Sequence, residues 1–134
     1  MSRRAEGRFE VEMLPDRPYD VTDEVSFGRM MLKKRYTGDL EATGQGEMLT
    51  TTTATEGSAG YVAMERVTGA LHGKEGSFVL QHNGVMDGGD QRLAIVVVPA
   101  SGTRALRGIS GTMTIEIDEV GHGYVLEYGI GEGR

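Results

Sequence analysis

The stretch YVAMERVTGALHGKEGSFVLQHNGVMDGGDQRLAIVVV, residues 61–98, decides the fold. Apolar and polar side chains alternate through it with a period of two, the spacing of a strand with one face in water. Two glycine-bearing breaks, at Gly73 and Lys74 and at Gly88 and Gly89, divide it into strands over residues 61–71, 76–86 and 91–98. A two-residue loop at Gly73 and Lys74 sets His72 opposite Glu75, Leu71 opposite Gly76, Gly69 opposite Phe78, Val67 opposite Leu80 and Glu65 opposite His82. Phe78 then covers the bare backbone of Gly69. The second break sets Leu80 opposite Val97 and His82 opposite Ile95. One face therefore carries Val67, Phe78, Leu80, Ile95 and Val97, with Glu65 and His82 among them.

The same pattern extends in both directions. Phe9, Val11 and Met13 alternate with Arg8, Glu10 and Glu12 in residues 8–13, and a polar, proline-bearing connection follows over 15–24. Residues 26–36 read as a second strand and 44–53 as a third, rich in β-branched threonine. Beyond the glycine-studded loop 99–108 come strands at 112–118 and 124–130. A loop centred on Val120 and Gly121 sets Ile117 opposite Tyr124, Ile115 opposite Leu126 and Met113 opposite Tyr128, all expected inside. Thr112, Thr114, Glu116, Asp118 and Glu127 then face water. No window carries a convincing helical repeat; the one alternative is a short helical turn within 21–27.

Eight strands joined by short turns make a meander, and closing it removes two unpaired edges that would invite aggregation. The expectation is an all-β single domain over residues 1–134, a closed eight-stranded antiparallel barrel in preference to a sandwich. The interior of such a barrel is filled by side chains or holds one small ligand.

Composition narrows the function. The chain has 134 residues and a formal net charge of −6, which argues against a nucleic-acid binder, whose phosphate contacts need a basic surface. With no cysteine there is neither a disulfide framework nor a thiolate. The longest apolar run, residues 94–98, is far too short to cross a bilayer, and the first eight residues lack a signal-peptide core. A cytoplasmic protein without a membrane or nucleic-acid partner is expected. The 21 glycines punctuate alternating segments, as in a protein of many strands and tight turns.

Six segments carry a family resemblance: GSAGY at 57–61, ERVTG at 65–69, GSFVLQH at 76–82, PASGT at 99–103, GISGT at 108–112 and HGYVLEY at 122–128. In sequence and order they resemble a bacterial family of unknown function, over about residue 7 to the C-terminus. Members are similar in fold to the allene oxide cyclase barrel, shared with plant dirigent proteins, so the resemblance implies a closed eight-stranded meander. It supplies no catalytic residues. Gly123 departs from relatives that more often carry a side chain there.

The candidate chemistry centres on Glu65 and His82. A carboxylate and an imidazole on an apolar inner wall are costly to bury unpaired; paired, they can move a proton. The alternative is a hydrogen-bonded pair that only fixes strand register. Tyr61 shares the face of Glu65, and Tyr124 and Tyr128 share the inner face of the last strand; phenols there can donate to a carbonyl or enolate oxygen, or act as core residues with satisfied hydroxyls. Phe78, Leu80, Ile95 and Val97 complete the expected ligand wall. Glu47 and Arg66 are expected to form a cross-strand ion pair outside. His72, His82 and His122 lie on different strands without ligand spacing, so no metal is expected. Ser101 and Thr103 read as turn residues bonding local backbone. Met30, Met31, Met48, Met64, Met86 and Met113 read as adaptable filler suited to apolar ligands. Outward Val62, Met64 and Val96 suit a homo-oligomer contact. Two functions follow: a cofactor-independent isomerase or cyclase acting on a small apolar molecule in the lumen through Glu65 and His82, or a catalytically silent carrier barrel. An inert oligomeric scaffold is the third, should the lumen be packed.

Overall fold

The computed structural model describes residues 2–16 and 20–131. Nine strands form one sheet: β1 (Arg3–Pro15), β2 (Asp20–Val21), β3 (Val25–Gly38), β4 (Leu40–Thr53), β5 (Ala59–Leu71), β6 (Lys74–Asp87), β7 (Asp90–Val97), β8 (Ile109–Ile117) and β9 (His122–Ile130). β3 to β9 follow one another as antiparallel neighbours, and β1 closes the ring. Residues 3–9 of β1 pair with β9 and residues 7–15 with β3, while β2 adds a short pairing to the start of β3. The result is the expected closed eight-stranded barrel, with no α-helix among the described residues and no helix long and apolar enough to cross a membrane. Residues 22–25, where a helical turn was the alternative, form a tight turn in which the Val25 amide donates to Thr22 Oγ1 at 2.9 Å.

Parity along the strands is as read from the sequence, but register differs in three hairpins, each time by two residues. β5 and β6 turn through His72 and Gly73, at φ 47° and 81°, so Leu71 faces Lys74, Val67 faces Phe78 and Glu65 faces Leu80. His72 tolerates the left-handed conformation because its ring and backbone are anchored: Nδ1 meets the Tyr128 hydroxyl at 2.5 Å and its amide donates to Asp39 O at 2.8 Å. Gly69 consequently lies across from Gly76, and Phe78 does not cover it; a side chain at Gly69 would strike the Glu41 carbonyl.

Between β4 and β5, Glu47 faces Met64 and Arg66 faces Gln45, so the expected Glu47–Arg66 pair does not form; Glu47 Oε1 lies 3.8 Å from Arg29 Nε instead. Between β8 and β9 a four-residue loop, held by Asp118 Oδ1 accepting from the amides of Val120 and Gly121, sets Ile117 opposite His122. Ile117 has inward parity but projects past the core and is 72 % exposed, against the expectation that it lies inside. The Gly88–Gly89 hairpin is as read, with Leu80 opposite Val97 and His82 opposite Ile95.

The barrel is sealed at one end and open at the other. At the sealed end Leu40, Leu71, Ile109 and Tyr128 are buried beneath Leu106, from a single 3₁₀ turn over Arg104–Leu106. Ser101 and Thr103 do more than local turn work: their hydroxyls accept from the amides of Val79 and Ser77, continuing the β6 ladder where β7 has ended. The Tyr124 hydroxyl donates to Thr37 O and accepts from the Leu40 amide, clamping the β3–β4 turn. At the other end β3 to β6 run on, while β7 and β8 pair at only two positions, Ile95 with Met113 and Val96 with Thr112. That seam leaves the mouth splayed.

Candidate functional site

Two apolar clusters fill the interior. The larger includes Phe9, Tyr36, Val67, Phe78, Leu80, Ile95, Val97 and Tyr124; the smaller, toward the mouth, comprises Leu32, Met48 and Ala63 with Met30 and Tyr61 against it. Between them on β3, β5 and β6 lies a polar layer. Glu65 is fully buried there, with Lys34 and His82 nearly so. Its Oε1 accepts from Lys34 Nζ at 3.1 Å and from His82 Nε2 at 2.9 Å, and its Oε2 accepts from the Tyr36 hydroxyl at 2.5 Å. Room for the carboxylate exists because residue 44 on β4 is glycine: a Cβ there would overlap Oε2. The ammonium also sits 4.9 Å from the centroid of the Phe9 ring.

These contacts fix the charge states. Burial alone pushes the Glu65 carboxyl upward, but the His82 hydrogen bond, the Lys34 charge and the Tyr36 hydrogen bond together hold it below the ordinary glutamate value. Tyr36 is held well above 10, first by burial and then by the neighbouring carboxylate, so its hydroxyl stays a donor. An ionised carboxylate at Nε2 calls for a proton on that ring nitrogen. His82 Nδ1 has no hydrogen-bond partner among the described residues.

One inward position nearer the mouth than His82, β6 carries Gly84, and opposite Gly84 on β5 stands Tyr61. The tyrosine ring lies over the glycine, where a Cβ would overlap it. Above them is a cavity of about 180 Å³ lined by Met30, Met48, Met86, Tyr61, Thr50 and Gln91, among others. Met30 and Met48 face each other across β3 and β4. Among the described residues, no carboxylate, imidazole or cation contributes to this lining. Burial raises the Tyr61 phenol above its ordinary value, so it too remains protonated, and its hydroxyl makes no hydrogen bond among the described residues. A wider cleft, with Pro99, Ala100, Gly102 and Gly131 on its lining, has Arg107 as its one titratable side chain among the described residues.

The structure thus brings Glu65 and His82 into contact as diagonal neighbours, with His82 directly opposite Ala63. Of the residues expected on a ligand wall, Tyr61 lines the mouth cavity. Phe78, Leu80, Ile95, Val97, Tyr124 and Tyr128 are packed in the larger cluster, and the hydroxyls of Tyr124 and Tyr128 are spent on anchoring turns. Met31 and Met64 face outward and are not filler, whereas Met48 and Met113 are buried. The three histidines stand apart: His72 at its turn with Tyr128, His82 on Glu65, and His122 stacked 5.0 Å from Phe9. Sequence reasoning missed Lys34 and Tyr36. The signal that could have found them is their parity with Leu32, which places all three on the inner face of β3.

The comparisons with known proteins agree with this architecture. A crystal structure at 1.84 Å of a protein of unknown function from the DUF3224 family, from Shewanella oneidensis MR-1, is 45 % identical. It superposes with a TM-score of 0.95, covering 99 % of this chain and all of that one. No curated protein matches. Residues 5–128 match the family described as "Protein of unknown function (DUF3224)", and the chain therefore belongs to that family.

Proposed function

We propose that this protein is a binding barrel whose site is the methionine-lined mouth, and that its ligand is small, uncharged and largely apolar. The observation that carries this reading is the cavity itself: about 180 Å³, thioether and methyl groups on most of its wall, and hydroxyl or amide groups from Tyr61, Thr50 and Gln91 at its edge. An apolar cavity of about 150 Å³ takes a molecule the size of benzene. A six-membered ring with one polar substituent is therefore the expected size. A charged ligand finds no counter-ion among the described residues of the lining and would lose its hydration uncompensated. Flexible methionines suit a ligand of loosely defined shape.

Seven or eight heavy atoms at a typical efficiency correspond to about −4 to −6 kcal/mol, a Kd of about 0.05–1 mM. Cyclohexanone and benzyl alcohol, titrated by ligand-observed NMR, are expected to bind with such constants, and benzoate is not. Met86→Trp should plug the mouth and abolish binding without loss of stability, since Met86 is 37 % exposed. Equal binding of benzoate, or full binding by the tryptophan variant, would rule the mouth out.

A further inference from the structure

The wider cleft, beside the 3₁₀ turn, plays no part in the mouth. It measures about 650 Å³, and residues 99–102 and 107–110 meet there with Gly131. The Ser101 amide donates to Val98 O at 3.2 Å, closing a turn with Pro99 and Ala100 at its centre. Ala100 stands at φ 66°, a left-handed position that such turns ordinarily give to glycine. Strain of this kind, kept in a chain with 21 glycines, concentrates at ligand clamps. Gly102 and Gly108 are glycine for steric reasons. A Cβ would strike Leu106 O at the first and Gly131 O at the second.

The backbone donors of this segment divide into two sets. Amides of Ser101, Thr103, Leu106 and Arg107 donate to carbonyls of the segment itself, of Val98 or of Ser77 on β6. Those of Ala100, Gly102 and Gly108, all on the cleft, find no acceptor among the described residues. The guanidiniums of Arg4, Arg8 and Arg29 are paired with acids. That of Arg107 makes no ion pair or hydrogen bond among the described residues, and neither does the Ser110 hydroxyl. No carboxylate stands on the described lining. Three unused amides, a hydroxyl and a fixed positive charge around one cleft are complementary to an anion.

We infer that this cleft is a second ligand site, which binds the phosphate group of a small phosphate monoester. Donor number favours phosphate over carboxylate. A guanidinium fork, three amides and a hydroxyl offer more hydrogen bonds than the roughly four lone-pair sites of a carboxylate accept. Three terminal phosphate oxygens have room for them, two facing the fork. Size favours an ester over the free ion, because the cleft has the volume of a small-molecule site. Pro99, Ala100 and Ile109 supply apolar walls for the organic part.

Phenyl phosphate, inorganic phosphate and benzoate, each titrated into the ¹⁵N-labelled full chain near neutral pH, test the site at its own amides. Phenyl phosphate is expected to shift the amides of residues 100, 102 and 108 with one common Kd. Inorganic phosphate should bind there at least about threefold more weakly, lacking the ring's apolar contact. Benzoate should leave the three amides unmoved. Arg107→Ala, at an exposed position, should keep the wild-type Tm and weaken phenyl phosphate at least about tenfold. Arg107→Lys keeps the charge without the fork and should fall between. Met86→Trp, at the mouth, should leave this affinity unchanged. No shift at the three amides overturns the inference, as does full affinity in Arg107→Ala, loss of affinity in Met86→Trp, or equal binding of benzoate. Inorganic phosphate binding as tightly as the ester overturns the assignment to a monoester.

Discussion

Glu65→Gln preserves the shape of the buried side chain and removes its charge, which isolates the electrostatic part of the polar layer. In the wild type every hydrogen-bonding atom that reaches this carboxylate is a donor: Lys34 Nζ, His82 Nε2 and the Tyr36 hydroxyl. A carboxamide can keep its oxygen on Lys34 and His82 and turn its NH₂ to the Tyr36 hydroxyl, which then accepts, but it brings no negative charge. Lys34, with 5 % of its side chain exposed, also loses its counter-ion. Removing one partner of a buried ion pair costs about 3–5 kcal/mol, and the retained hydrogen bond to the amide oxygen puts this case at about 3–4. For a domain of this size that corresponds to a fall in Tm of about 10–15 °C. Urea titration at pH 7 by circular dichroism, with calorimetry for the Tm, measures it. Lys34→Met in the Glu65→Gln background removes the orphaned ammonium and should restore about 1–3 kcal/mol. A Glu65→Gln protein within 1 kcal/mol of wild type, or a double variant weaker than either single one, would refute the claim that this layer is held by charge.

Four further outcomes follow from the same geometry. Because the Glu65 pKa is lowered in the folded state, its stabilisation is present above the unfolded carboxyl value and is lost as pH falls through the folded one. The acid limb of stability against pH should therefore be flatter in Glu65→Gln. Tyr36 has the opposite sign: its raised pKa stabilises below about 10, where the unfolded phenol ionises, and stability falls as pH rises beyond it. Tyr36→Phe should flatten that alkaline limb and lose about 1.5–3 kcal/mol of a hydrogen bond to a charged acceptor. Gly84→Ala should fold but push the Tyr61 ring into the mouth cavity, weakening cyclohexanone binding at least about tenfold by the NMR titration. In native-state hydrogen exchange, amides at 91–94 and 114–117, beside the two-position seam, should open well before those of β4 and β5.

Much of this fold was legible because the side-chain period in a strand is two. In the hairpins β4–β5, β5–β6 and β8–β9 the partner of each residue differs from the sequence reading by two positions, which leaves every side chain on its assigned face. Glu65 and His82 thus still meet, as diagonal neighbours. The register itself was not legible, because turn choice depended on remote anchors: nothing in the segment LHGKE announces that His72 will be held at positive φ by Tyr128 and Asp39. Lys34 was hidden for a different reason. The run MMLKKRY at 30–36 gives apolar, apolar, apolar, cation, cation, cation, aromatic, so only the parity of Lys34 with Tyr36, against Lys33 with Arg35, separates the two lysines. The cavity depends on strand overhang and on the short β7–β8 pairing, which are properties of the closed barrel and not of any segment.

His82 joins the polar layer through Nε2, and its substitutions separate that contact from simple packing. Nε2 belongs to the polar layer that supports the barrel. Substitutions that touch only this network, such as Tyr36→Phe, should lower stability with little change in ligand affinity, and those at the mouth, such as Met86→Trp, should do the reverse. His82→Gln keeps a donor within reach of Glu65, so its stability loss should stay near about 1–1.5 kcal/mol. His82→Ala leaves a cavity and one fewer donor on a buried carboxylate, and should cost about 3–4 kcal/mol by urea titration. If both variants lose the same stability, the Nε2 contact contributes nothing of its own. The layer would then be held by Lys34 and Tyr36 alone.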